Sequence, residues 1–316
     1  MSVKFTVLAA LALVSAGCAP ATGPVSSAAE PERASVVTSL ELGTSFRESA
    51  FVDQCEDFDE WDKPAPPFEL LGDTWYVGTC GISAILVIGD DGHVLIDSGV
   101  EAAAPLVLDN IRALGIDPRD IRYLLMSHEH FDHVGANAAL VEATGAQVIA
   151  SPAAAKVLTS GKVSADDPQA AIHPAMTPVK VGRIVSDGET LTLGGKDFTA
   201  HLTPGHTPGA MSWTWYACNL PWQPPVCRRV AYVDSLSPVS ADDYRFTDHP
   251  AVVADFRRSI AKVQALPCDL LVTPHPSSSG MLDRMKDGGL LDGTACVGYA
   301  KAIEKRLNER LAKEGE

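Results

Sequence analysis

Short apolar runs broken by turn residues dominate the early part of this chain. Thr74-Trp75-Tyr76-Val77-Gly78, Ser83 to Ile88 and His93-Val94-Leu95-Ile96 read as strands, and Asp90-Asp91-Gly92 between the last two is a hairpin signal. The period then changes. Glu101 to Leu114 places its apolar residues at helical spacing and ends at Gly115. A strand over Ile121 to Met126, a helix over Ala136 to Thr144 and a strand over Gln147 to Ala150 follow. From Ala154 to about Pro178 the pattern weakens, and Gly161, Ser164, Asp166, Asp167 and Pro168 predict a mobile segment. Strands resume at Leu191 to Leu193, Phe198 to Leu202, Met211 to Tyr216 and Arg229 to Val233, with helices over Val252 to Ala265 and Ala300 to Ala312. Sheet and helix blocks that alternate and then repeat favour two sheets packed face to face with helices outside, an α/β architecture.

One strand end carries the chemistry. Directly after Ile121 to Met126 comes His128-Glu129-His130-Phe131-Asp132-His133. A buried strand that ends in such a run delivers several ligands to one point at a sheet edge, and imidazole with carboxylate suits zinc. The bland alternative is a solvated polar loop, which does not account for so many donors in so short a span. Two later histidines share the context of a β-type run followed by a turn. His206 lies in Thr203-Pro204-Gly205-His206-Thr207-Pro208-Gly209, and His275 in Thr273-Pro274-His275-Pro276 after Asp269-Leu270-Leu271-Val272. Alone, each reads as a loop residue; beside the cluster, each reads as a ligand.

With Asp97 in Leu95-Ile96-Asp97-Ser98-Gly99, these motifs follow in order the pattern of the metallo-β-lactamase superfamily, which the chain resembles from about Trp61 to its last helix. It is similar in particular to the class B, subclass 3 (B3) enzymes, through Ala231-Tyr232-Val233-Asp234-Ser235-Leu236-Ser237, Leu266-Pro267-Cys268-Asp269 and Thr273-Pro274-His275-Pro276. A serine also stands in the segment where other subclasses place a cysteine ligand. The resemblance implies an αβ/βα sandwich with two zinc ions. His128, His130 and His206 would hold one ion; Asp132, His133 and His275 would hold the other. It implies hydrolysis of the β-lactam amide by a zinc-bound hydroxide oriented by Asp132, with no covalent intermediate. Asp97 is expected to organise the metal loop by hydrogen bonds. Ser235 and Ser237 are candidates for binding the substrate carboxylate, with turn capping as their ordinary role, and Tyr244 is a candidate hydroxyl donor that also reads as a packed loop residue. Trp213, Trp215 and Trp222 are candidate cleft walls or packing residues.

Composition sets the surroundings. The 316 residues are 46% hydrophobic, enough for a large core, and the net charge of −15 disfavours a nucleic acid or anionic membrane as partner. A monomer acting on small molecules, with no protein partner, is expected. Lys4 before the apolar run Phe5 to Val14 and the small residues Ser15, Ala16 and Gly17 reads as an export leader over residues 1–28. A single domain over 29–316, with a flexible arm to about residue 55, would follow in the periplasm. Cys18 offers a lipid-anchor site, whereas cleavage after Ala21, Ala28 or Ala29 would release soluble protein. Seven cysteines less Cys18 leave six for disulfides in an exported chain. The expected pairs are Cys55–Cys80, pinning the arm to the early sheet, and Cys218–Cys227, closing a short loop; Cys268–Cys296 is implied by the subclass resemblance. A cysteine-zinc site is the competing reading, although no Cys-x-x-Cys spacing occurs.

Other functions fit parts of the same pattern. A thioester, lactone or glyoxalase-type hydrolase would use an aspartate bridging both metals, for which Asp234 is the candidate. Side-chain alternation lets only one of Asp234 and Ser235 face the metals directly. A phosphodiesterase lacks a basic tract here, and a zinc-storage role would call for closed four-ligand sites.

Overall fold

A computed structural model describes residues 48–55, 60–219 and 224–315. The export leader, Cys18 and Trp222 lie outside the described residues. Strands β1 (Phe68–Leu71), β2 (Thr74–Tyr76), β3 (Ile85–Val87), β4 (His93–Ile96), β5 (Ile121–Leu125), β6 (Gln147–Ala150) and β7 (Val181–Ile184) form a seven-stranded sheet in sequential order. β1 to β4 are joined by short turns and pair antiparallel. From β4 onward the pairing is parallel, and the helix Ala104–Ala113 supplies the long crossover that parallel neighbours require between β4 and β5.

The second sheet contains β8 (Thr190–Leu193), β9 (Lys196–Leu202), β10 (Met211–Asn219), β11 (Val226–Tyr232) and β12 (Leu270–Val272), in the order β12-β11-β10-β9-β8. Only β11 and β12 run parallel, so both sheets are mixed, as expected for the α/β sandwich. The period of two along a strand sorts this sheet's side chains into two cores. Val230, Tyr232, Leu270 and Val272 enter the core shared with the first sheet. Ala231, Val233 and Leu271 face the other way and pack with Phe256, Ile260 and Val263 of the helix Pro250–Ala265 and with Tyr299, Ile303 and Leu307 of the helix Ala295–Gly315.

One expectation about local structure needs correction, and two strands have no counterpart in the sequence pattern. Residues 154–160, read as the start of a mobile segment, belong to the helix Pro152–Ser160, and Val157 and Leu158 are buried in it. Its signals are local: Ser151 accepts the Ala154 N–H, Pro152 begins the first turn, and Gly161 ends the helix at φ 69°. The Ala-rich interior masks the period. β1 lies beyond the Pro-rich arm and β7 is an edge strand with three exposed positions, so neither alternates clearly.

Trp213 and Trp215 are buried core residues, not cleft walls. The Trp213 indole donates to the Met126 carbonyl at 2.9 Å and the Trp215 indole to Thr74 Oγ1 at 3.1 Å, which ties the two sheets together. At the site end, the Met211 N–H donates to the Ser127 carbonyl at 2.7 Å and the Ser83 N–H to the Pro274 carbonyl at 2.8 Å. Cys55–Cys80, Cys218–Cys227 and Cys268–Cys296 are all disulfides. The second joins directly opposed residues of β10 and β11, and the third fastens the last helix to the segment entering β12.

Candidate metal centre

All the candidate donors lie where strands of both sheets end. β5 stops at Leu125, the chain crosses the sheet edge through Met126 and Ser127, and a one-turn helix, Phe131–Val134, folds back to present Asp132 and His133. Beneath this loop sits Asp97, fully buried at the end of β4 with φ 60°. Its carboxylate accepts the Ser127 N–H and hydroxyl, both at 2.6 Å, and the Tyr232 hydroxyl at 2.7 Å. Glu129 points the other way and pins the loop to the β9–β10 turn, accepting the Thr207 hydroxyl at 2.7 Å and the Gly209 N–H at 2.8 Å. Only glycine fits at that position: a Cβ on residue 209 would stand 2.5 Å from the Ala154 nitrogen and 2.6 Å from Glu129 Oε2.

The structure gathers the donors into two adjoining sets. Donor atoms of His128, His130 and His206 lie within 4.8 Å of one another. In the second set, Asp132 Oδ2 is 3.0 Å from His133 Nε2 and 3.2 Å from His275 Nε2, and those two nitrogens are 3.2 Å apart. His128 also lies within 4.8 Å of Asp132 and His133, so the sets share a boundary.

Each imidazole of the first set has one nitrogen engaged from behind. His128 Nδ1 is 2.9 Å from Asp234 Oδ1, His130 Nε2 is 2.9 Å from Asp167 Oδ2, and His206 Nδ1 donates to the Ser237 carbonyl at 2.9 Å. The opposite nitrogen is thereby left for the centre, and His128 Nε2 is buried with no partner. An outer partner that fixes tautomer and ring orientation is the usual support of a metal-binding histidine.

Electrostatics fit a cation. Burial, followed by the neighbouring imidazoles, pulls His128 well below the ordinary histidine range; burial and His130 bring His206 to about 3. Both rings are therefore neutral at pH 7, the form that binds metal. Around Asp132 the sign reverses. Burial opposes charge on both partners, yet the His133 charge and hydrogen bonds from His133 and His275 hold the Asp132 carboxyl well below its usual range. Against its own burial, His133 is lifted by the Asp132 carboxylate to about 10. A pocket that favours a positive charge beside a buried carboxylate, and neutral imidazoles next to it, matches a divalent ion in its donor chemistry.

The remaining predicted residues take different places. Ser235 is buried with its hydroxyl unpartnered, while its carbonyl accepts the Tyr299 hydroxyl at 2.5 Å. The Ser237 hydroxyl makes a long 3.4 Å contact with the Ser235 carbonyl. Tyr244 stacks on His249 with ring centroids 4.1 Å apart, and its hydroxyl has no partner. Asp234 stands behind His128, and its second oxygen accepts the Leu236 N–H at 3.1 Å.

Two further residues stand at the centre, neither of them a candidate site residue from the sequence. Asp167 backs His130 and also accepts the Gln169 N–H at 2.7 Å. His173 lies with its ring 3.7 Å from that of His130, stacked at 19°. A faint signal exists for the latter: His173-Pro174 repeats the pairing seen at His275-Pro276.

A family model described as the metallo-beta-lactamase superfamily matches residues 77–220. The metallo-β-lactamase MIM-1 from Novosphingobium pentaromativorans is 50% identical, with a TM-score of 0.81 over 84% of this chain and 98% of its own. MEM-A1, a subclass B3 metallo-β-lactamase isolated from a soil metagenome library, is 41% identical, with a TM-score of 0.76 over 81% of this chain and 99% of its own. A hydroxyacylglutathione hydrolase from Polaromonas sp. (strain JS666 / ATCC BAA-500) is 35% identical over 109 residues, 30% of this chain and 34% of its own. The chain spans about half the length or less of the first curated relatives it matches. With half its aligned residues identical over nearly the whole of a solved relative, and with the same two-sheet fold, the chain belongs to the metallo-β-lactamase superfamily and groups with its subclass B3 enzymes.

Proposed function

We propose that the protein is a zinc-dependent β-lactamase that opens the β-lactam amide with water and without a covalent intermediate. The observation that carries this reading is the arrangement of two three-donor sets meeting at Asp132, in a chain similar over most of its length to solved metallo-β-lactamases. We assign one zinc ion to His128, His130 and His206 and a second to Asp132, His133 and His275. Zinc so held would lower the pKa of a bound water to about 7 and polarise the amide carbonyl.

The chain's own residues do the rest. Asp132 uses Oδ2 toward His133 and His275, and its buried Oδ1 has no partner, which suits it to orient the attacking water and accept its proton. That proton then passes to the departing amide nitrogen as the carbon–nitrogen bond breaks and the carbon–oxygen bond forms. The unpartnered hydroxyls of Ser235 and Tyr244, with that of Ser237, are offered to the substrate carboxylate. Three disulfides support export to an oxidising compartment, the periplasm, with a lipid anchor at Cys18 as a variant of that reading.

The glyoxalase-type alternative loses support from Asp234, which backs His128 instead of lying between the two sets. The test is a comparison of substrates. Zinc-loaded protein should hydrolyse at least one of a penicillin, a cephalosporin and a carbapenem with a kcat/KM about a hundredfold above that for a glutathione thioester, roughly 3 kcal/mol of discrimination. The reverse ratio would replace the β-lactam assignment with a thioester one.

Asp167 gives a second expectation. Removing the acceptor from His130 Nε2 in Asp167→Ala should weaken zinc binding on the order of 10- to 100-fold, as measured against a chromophoric chelator. Asp167→Asn keeps an acceptor oxygen and should fall between the two.

A further inference from the structure

Of the six proposed donors only His275 is not buried; its side chain is 20% exposed. The centre therefore opens on the His275 side, and a large apolar residue stands there. Trp61, itself 37% exposed, has its ring 6.0 Å from that of His275. The same ring lies 5.6 Å, edge-on, from that of Phe131, the half-buried residue between His130 and Asp132. We infer that Trp61 determines specificity for β-lactams carrying an aromatic acyl side chain, and that the Cys55–Cys80 disulfide positions it. The inference rests on the β-lactamase reading.

The arm that carries Trp61 is fixed to the turn from Thr79 to Ser83. Cys80 holds it at two points: the sulfur is bonded to Cys55, and the N–H donates to the Lys63 carbonyl at 3.0 Å. Trp61 lies between these attachments, and its own carbonyl accepts the Thr79 hydroxyl at 2.8 Å. The turn also reaches the histidine. Ser83 donates its N–H to the Pro274 carbonyl and its hydroxyl to the Thr273 carbonyl, both at 2.8 Å, just before His275. One short turn thus sets the indole on one side and His275 on the other. Without the disulfide, the stretch before Trp61 loses its covalent tie, and holding the indole against a substrate costs entropy at the moment of binding.

The substrate class follows from the chemistry of the two rings. Ligand clefts pair apolar and aromatic walls with a few polar groups. With the lactam ring at the donor sets and its carboxylate at the hydroxyls proposed for it, the acyl side chain is the apolar part left to place. An aromatic one can stack on the indole or meet Trp61 and Phe131 edge-on.

The test uses full-length, zinc-loaded protein and two substrates: benzylpenicillin, and aminopenicillanic acid, the same nucleus without its acyl side chain. The readout is the ratio of their kcat/KM values, with zinc content measured in every variant. Trp61→Ala should lower the ratio by about tenfold, and Trp61→Phe should restore most of it. Cys55→Ala combined with Cys80→Ala should lower it by about threefold or more with Trp61 intact. Thr79→Val, which removes the hydroxyl from the Trp61 carbonyl, should shift it the same way and serves if the double variant does not fold. A Trp61→Ala variant that loses both substrates in equal proportion, or neither, would overturn the inference. A wild-type ratio in both the double variant and Thr79→Val would overturn the positioning role of the disulfide. Wild-type protein that hydrolyses a carbapenem but neither penicillin would overturn this inference alone, whereas no turnover of any β-lactam would overturn the reading beneath it.

Discussion

Replacing Asp132 by alanine is expected to lower β-lactam turnover by about a thousandfold or more, equivalent to roughly 4 kcal/mol of lost transition-state stabilisation. The size follows from how much converges on one carboxylate. One oxygen lies within 3.2 Å of both His133 and His275, and the other is buried and unpartnered. The substitution removes a donor, the charge that orders the second set, and the group proposed to orient water. Asp132→Asn separates these contributions, because it keeps the shape and an oxygen but loses the charge. Its kcat should fall nearly as far as that of the alanine variant, with a smaller change in melting temperature. A loss of less than tenfold in both variants, with zinc retained, would remove Asp132 from the mechanism.

Asp97→Ala should instead cost stability. Three buried donors, the Ser127 N–H, the Ser127 hydroxyl and the Tyr232 hydroxyl, would lose their common acceptor. Each orphaned donor costs about 1–3 kcal/mol, and some relaxation is expected, so a loss of about 3–5 kcal/mol is predicted. Against a typical domain stability of about 5–15 kcal/mol, that is a large share. The backbone adds to it, since φ 60° suits Asp better than Ala. Urea denaturation of the two proteins measures the difference. A midpoint shift worth less than about 1 kcal/mol would mean that water replaces the carboxylate and that Asp97 is not the foundation of the loop.

The six proposed donors are legible in the chain because each follows an apolar run that ends at a sheet edge. Periodicity finds the strands, and the histidines in the turn or loop after each strand name the candidates. His206 and His275 lie far apart in sequence, yet both occupy turns after strands of one sheet, and closing the sandwich brings them to the same end. Asp167 and His173 escape this logic. They lie in a stretch with neither helical nor strand period, positioned by contacts to His130 and to the loop around Ala241 that no local spacing records. The direction of Asp234 is likewise not readable from alternation, which permits either it or Ser235 to face the donors. What decides is the Leu236 backbone, at φ 46°, whose N–H binds the Asp234 carboxylate beside His128. The helix Pro152–Ser160 is a different case, because its cap residues are plain in the sequence and only its alanine-rich interior conceals it.

The proposed activity requires the buried imidazoles and carboxylates to act as a metal centre for β-lactam hydrolysis. The most direct measurement is hydrolysis of a β-lactam by protein stripped of metal with a chelator and shown by circular dichroism to remain folded, before and after zinc is returned. Turnover should vanish on stripping and recover on adding zinc. Undiminished turnover by folded, zinc-free protein would contradict the account.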